Sequence, residues 1–218
     1  MRNFAFIAVI LFGLTVAIPF IEERPTCVVK GDPHHTTFDN VSYNFSGHCA
    51  YTMVEDAVHN PPLFSVTAEN MFQSGEKNAR VVGFTVTVNG RSLTARMGKN
   101  PGEVMFEDEN NLKIQHSDDF WEGSDIHVIK ETDDTRGEDR YLITTLVGVD
   151  VVWNGKYRIE ISIEPSMGSA VVGMCGSANN DSKDDIKTRG GDVISSVDQP
   201  DIDNFANTWE VTNSCNTL

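Results

Sequence analysis

Basic residues are scarce. The chain of 218 residues has 17 Lys and Arg against 32 Asp and Glu, a formal net charge of −15. Phosphate binding needs a basic surface, so the shortage argues against nucleic acid as a partner, and against an anionic membrane surface for the same reason. After the first 17 residues no segment is apolar enough to cross a bilayer as a helix. His34, His35, His48, His59, His116 and His127 form no His-x-x-x-His pair and have no cysteine pair beside them, so no zinc site is spelled out. Neither a Gly-x-Ser-x-Gly element nor a phosphate loop occurs, which removes two common signatures of hydrolases and nucleotide enzymes. Before residue 200 no segment past the start carries a convincing 3.6-residue period, which argues against a helical bundle.

Apolar residues make up 39% of the chain, enough for a packed core and too many for a disordered polymer. Arg2, the apolar run 4–17 and the small-residue end Thr15-Val16-Ala17 predict a secretory signal peptide over 1–17. The expected product is therefore secreted, with no membrane span after signal removal. In an oxidising compartment Cys27, Cys49, Cys175 and Cys215 predict two disulfides. Four cysteines allow three pairings, and spacing alone does not choose among them. Asn40-Val41-Ser42, Asn44-Phe45-Ser46 and Asn180-Asp181-Ser182 are N-glycosylation sequons at Asn40, Asn44 and Asn180.

Residues 42–164 read as β. Val82, Phe84, Val86 and Val88 alternate with Gly83, Thr85 and Thr87, and Asn89-Gly90 supplies a two-residue hairpin turn. A longer run from 141 to 152 ends at Trp153, and Asn154-Gly155 reads as a second hairpin turn. Tyr157, Ile159, Ile161 and Ile163 then face one way, with Arg158, Glu160, Ser162 and Glu164 on the other. Leu112-Lys113-Ile114 and 126–129 are further short strands, while 73–78 and the charged stretch 131–139 read as polar loops. Such a pattern predicts a mainly β fold, an antiparallel sandwich or meander. Beyond 176 the chain turns rich in Gly, Ser, Asn and Asp, and 203–209 predicts a short C-terminal helix capped by Asp203. The stretch 175–185 places oxygen ligands at close spacing, as a hard cation requires, but it lacks the EF-hand pattern, and composition alone reads it as an acidic surface loop.

Cys27-Val28-Val29-Lys30-Gly31-Asp32-Pro33-His34 followed by Phe38-Asp39 resembles the opening of a von Willebrand factor type D domain. Tyr43-Asn44-Phe45-Ser46-Gly47-His48-Cys49-Ala50-Tyr51, Gly173-Met174-Cys175-Gly176 with its Asn/Asp loop, and Phe205, Trp209 and Cys215 are similar to that family's later blocks. The resemblance covers about residues 24–218, and it divides the chain into signal peptide 1–17, an extension 18–26 and one domain over 27–218. It implies the pairs Cys27–Cys175 and Cys49–Cys215. It also implies calcium as cofactor, held by Asp39, Asn179, Asp184 and Asp185 with a main-chain carbonyl near Asp181. Ser177 stands where the family usually has Asn, and Asn40 where it usually has Gly.

The family's Cys-x-x-Cys is incomplete here, reading Val172-Gly173-Met174-Cys175, so thiol exchange is not expected. With no spare cysteine, a disulfide-linked multimer is not expected either. The acid-labile Asp32–Pro33 bond, cut autocatalytically in some family members, is a candidate for slow self-cleavage below neutral pH; an intact turn is the ordinary reading of Asp-Pro. The resemblance implies a secreted, calcium-stabilised, non-enzymatic glycoprotein acting as a binding, matrix or mucus module on an extracellular protein or glycan partner. Two alternatives remain open: a luciferase-like secreted oxidase, with Phe120 and Trp121 as pocket candidates, and a yolk-type lipid-associated carrier.

Overall fold

The computed structural model describes residues 23–31, 34–72, 75, 77–100, 102–110, 113–114, 120–133 and 138–216. The signal segment 1–17, the Asp32–Pro33 bond and the side chains of Phe120 and Trp121 lie outside the described set. Among the described residues the strands are β1 (Thr26–Lys30), β2 (His34–Thr36), β3 (Ser42–Asn44), β4 (Ala50–Asp56), β5 (Phe64–Phe72), β6 (Ala79–Val88), β7 (Arg91–Met97), β8 (Val104–Asp108), β9 (Lys113–Ile114), β10 (Phe120–Glu122), β11 (Ile126–Asp133), β12 (Glu138–Thr145), β13 (Val149–Trp153), β14 (Arg158–Ile163) and β15 (Val171–Val172), with one α-helix, α1 (Gln199–Asn207). They form two antiparallel sheets, ordered β10-β11-β12-β13-β14-β1-β2-β3 and β15-β4-β5-β6-β7-β8-β9.

The alternation seen in the sequence is what packs these sheets. Ile159, Ile161 and Ile163 of β14 are buried while Arg158, Glu160 and Ser162 stay half-exposed. From the other sheet Phe84 meets Trp153 edge to face, centroids 5.5 Å apart at 85°, an arrangement that suits the ring quadrupoles. The Trp153 indole N–H donates to the Lys156 carbonyl at 2.9 Å, so its polar atom is not stranded in the core. Asn89 and Gly90 adopt φ of 52° and 78°, as the expected two-residue hairpin needs.

Four local expectations are corrected. The run 141–153 is two strands, broken at 146–148 where Gly148 takes φ 80°. The second hairpin connection is four residues, 154–157, because the Asn154 side chain accepts from the backbone N–H groups of Lys156 and Arg158, both at 3.1 Å, and curls the chain into a wider turn. The charged stretch 131–139 is strand on both flanks of its undescribed tip. Arg140 pairs with Glu131 at 2.6 Å and Lys130 with Asp139 at 2.9 Å across β11 and β12, so opposite charges stabilise pairing instead of opening a loop. Finally, α1 starts earlier than expected. Asp198 is its N-cap residue and Pro200 sits in its first turn, where proline costs nothing. Asp203 lies inside the helix, accepting from Gln199 at 2.6 Å. Trp209 follows the helix end, yet it is buried with Phe205 as the shared apolar face required.

Two long cross-links close the fold. Cys27 bonds Cys175 and Cys49 bonds Cys215, across 148 and 166 positions of sequence. All four cysteines of the chain are thereby used.

Candidate metal centre

The turn after β2 and the loop after β15 meet beside the first cross-link. Backbone bonds fix the turn: Thr37 N–H donates to the Val41 carbonyl at 2.9 Å, and Asn40 N–H to the Thr37 carbonyl at 3.2 Å. Asn40 takes φ 67°, so asparagine serves the left-handed position. Phe38 N–H then donates to the Cys175 carbonyl at 3.0 Å, and the Tyr43 hydroxyl to the Met174 carbonyl at 2.6 Å. Together with the Cys27–Cys175 bond, these contacts hold Asp39 against 177–185.

The loop is built from short polar turns. Asp181 N–H donates to Asn179 Oδ1 at 2.7 Å, and Lys183 N–H to Asp181 Oδ1 at 3.2 Å. Asp184 accepts from the Asn179 amide at 3.1 Å and from the Ser177 hydroxyl at 3.4 Å. Backbone N–H groups of Asn179, Asn180 and Asp181 interact with the Asp39 carboxylate. Thr37 was missing from the sequence reading, yet its hydroxyl donates to Asp185 Oδ2 at 2.5 Å while accepting from Val41 N–H at 2.9 Å. Gly176 belongs to the family-like block, but its role toward Asp185 is not spelled out by the sequence. It takes φ 73°, and a Cβ there would collide with the Asp185 carboxylate. The one available signal for both was adjacency to Phe38-Asp39 and Cys175.

Asp39, Asn179, Asp181, Asp184 and Asp185 therefore share one region, but not as a closed trio of carboxylates. Among the described residues the group of metal-ligating side chains converging within 4.8 Å is Cys49, Glu210 and Cys215, whose sulfurs are already bonded to each other. Asp181 turns its side chain to its own loop, and its carbonyl accepts from Asp184 N–H at 3.3 Å.

Electrostatics at the site are unfavourable for bare carboxylates. Burial, then the charges of Asp39 and Asp184, push the Asp185 carboxyl up to about 6, although the Thr37 hydroxyl opposes this. Burial also raises the Asp39 carboxyl, with Asp184 adding to it and the three amide N–H groups opposing. Asp39 Oδ2 and Asp185 Oδ1 are buried and make no hydrogen bond. Two orphaned anionic oxygens facing a loop of amide and carboxylate donors fit a hard divalent cation.

A cleft of about 340 Å³ opens next to this cluster. Asp184, Asp185, Val171, Arg189 and Trp209 are among the residues that line it. The Arg189 guanidinium lies over the Trp209 ring at 4.5 Å and pairs with Glu55 at 2.7 Å, so its charge is balanced there. Asn40, Asn44 and Asn180 are all exposed.

The model of the von Willebrand factor type D domain matches residues 27–192. SCO-spondin of Gallus gallus is 31% identical over 199 residues, covering 87% of this chain and 3% of its own length. Mucin-2 of Homo sapiens is 31% identical over 194 residues, and IgGFc-binding protein of Homo sapiens 29% over 192, each with the same 87% and 3% coverage. The chain thus spans a small fraction of the length of these relatives.

Proposed function

The chain belongs to the von Willebrand factor type D domain family, and from that premise we propose a secreted, calcium-stabilised glycoprotein module that binds an extracellular protein or glycan partner without catalysing a reaction. The orphaned buried oxygens of Asp39 and Asp185 carry the calcium part of the reading. When bound, calcium would supply positive charge and oxygen coordination at this loop. Asp39, Asp184 and Asp185 would hold it by carboxylate, Asn179 by amide and Asp181 by its carbonyl. Thr37 orients Asp185, and Gly176 leaves the room that Asp185 occupies. The two disulfides suit an oxidising, extracellular setting, and the mucin and SCO-spondin relatives support a matrix or mucus role. One relative is named for binding IgG Fc, which supports protein recognition as one use of the fold. Among the described residues no helix is long and apolar enough to cross a membrane.

Thermal unfolding with calcium or with chelator tests this. A ligand at 100 times its Kd adds about 2.7 kcal/mol, or roughly 5–10 °C for a domain of this size. That rise is expected for the wild type and is expected to vanish in Asp185→Asn, which should also melt higher than the wild type in chelator. A wild-type melting point that ignores both calcium and chelator would overturn the calcium reading.

A further inference from the structure

We propose that the cleft between β3 and α1 seats the chain's own N-linked glycan, attached at Asn44. The inference rests on the glycoprotein reading above and goes beyond it by assigning the glycan a binding site. The cleft has a volume of about 700 Å³, within the range of small-molecule sites. It is lined by His34, Asn44, Asn78, Gln199, Asp203 and Asn207, together with the buried Phe45.

That lining selects a chemical class. A hexosamine presents hydroxyls and an acetamide, each both donor and acceptor, and amide side chains offer both roles as well. Asp203 contributes a carboxylate that accepts from sugar hydroxyls; neither Lys nor Arg lines the cleft, and its imidazole, His34, is already engaged with Asn44 Oδ1 at 2.6 Å. A neutral sugar fits such walls, whereas a phosphate or sulfate would meet the Asp203 carboxylate with no Lys or Arg to balance it. The walls are also preorganised. Gln199 Nε2 donates both to Asp203 Oδ1 at 2.6 Å and to the Asn44 carbonyl at 3.3 Å, tying the start of α1 to β3.

Asn44 itself is poised for attachment. It is exposed, whereas its neighbour Tyr43 is buried. Its Oδ1 is engaged with His34 Nδ1 at 2.6 Å, and its Nδ2, the atom that carries a sugar, makes no hydrogen bond among the described residues. A sugar tethered to the wall of its own cleft meets the lining at millimolar effective concentration, so weak contacts suffice to hold it. Asn40 and Asn180 do not line this cleft and serve as internal controls. The arrangement also has a structural consequence. β3 is the terminal strand of its sheet, and a bulky hydrophilic chain there would block edge-to-edge pairing with a second copy.

The test is site-resolved deglycosylation of the full chain, secreted from a eukaryotic host that adds high-mannose glycans. Native and denatured protein are treated with peptide N-glycanase, and release at each sequon is followed by mass spectrometry. Asn44 is expected to be occupied, and its glycan to leave the native fold at least tenfold more slowly than the denatured chain. The double variant Asn78→Ala/Asn207→Ala changes two exposed side chains and should remove most of that protection at Asn44 alone. Equal release rates in native and denatured protein would overturn the proposal while leaving the glycoprotein reading intact. Protection that the double variant leaves unchanged would overturn it too, as steric crowding only. An empty Asn44 beside an occupied Asn40 or Asn180 sinks the cleft assignment alone; three empty sequons sink both readings.

Discussion

The paired sheets and the 173–198 loop are held by different physics. Between the sheets, Phe84, Trp153 and the Ile159, Ile161 and Ile163 row bury apolar surface on ladders of backbone bonds. In the loop, regular pairing is sparse, and Gly173, Gly176, Asn180 and Gly191 all take positive φ. Its order comes from residues far away in sequence: Cys27 by a covalent bond, Phe38 and Tyr43 by hydrogen bonds, and Thr37 through Asp185. Nearest-neighbour pattern therefore specifies one region, and long-range tethers specify the other. The loop is the region where the candidate metal ligands Asn179, Asp184 and Asp185 lie.

Removing the tether should strain this contrast most. Cys27→Ala/Cys175→Ala releases a closure across 148 positions, worth about 5 kcal/mol in the chain-entropy model and roughly 10–20 °C in melting temperature. Hydrogen exchange should lose protection first at position 175, Ala178 and Ile194, whose amide N–H groups donate in the wild type to the carbonyls of Met53, Gly168 and Ile186. Uniform loss across sheet and loop would show that the two regions unfold as one.

Next comes the sheet interior. Trp153→Ala opens a cavity against Phe84 and is expected to cost about 3–5 kcal/mol, read by denaturant unfolding. Calcium response should persist in whatever fraction remains folded, because the ring contacts of Trp153 are with Phe84, Phe106 and Tyr141 of the sheets. A loss of calcium response out of proportion to stability would mean that the sheets transmit to the loop.

Legibility followed the same divide. The Asn89-Gly90 hairpin and the inward face of β14 could be read from residue order, because turn chemistry and alternation act over a few positions. The charged flanks of β11 and β12 could not. Charge normally marks solvent, and only the partner strand reveals that Glu131 and Lys130 face Arg140 and Asp139. The cysteine partners came from family resemblance, since spacing left three pairings open. The roles of Thr37 and Gly176 were hidden for a related reason: each acts through Asp185, and Thr37 lies 148 positions from it.

The smallest expected effect lies where the two regions touch, at His35. This ring is 2% exposed, stacks on Tyr43 at 4.9 Å and leaves both ring nitrogens without a hydrogen bond. Burial drives its pKa down to about 3; a backbone interaction with Phe45 partly opposes this, and neighbouring His34 adds to the depression. Below about 6.5 the unfolded chain takes up a proton at this position that the folded chain refuses until about pH 3. Folding stability from His35 is therefore fully present above that unfolded value and falls as pH drops towards 3. Between pH 7 and pH 5 the loss should be about 2 kcal/mol. The carboxyls of Asp39 and Asp185 pull the other way, since their raised values favour the folded state on acidification when no cation is bound. Saturating calcium should suppress that opposing contribution, so the measurement belongs in calcium. His35→Phe keeps a ring against Tyr43 and removes the titration, so its unfolding free energy should lose about 2 kcal/mol less than the wild type over the same interval. Parallel pH profiles for the two proteins would mean that this ring is protonated in place, and that the apolar seam beneath the loop tolerates a charge.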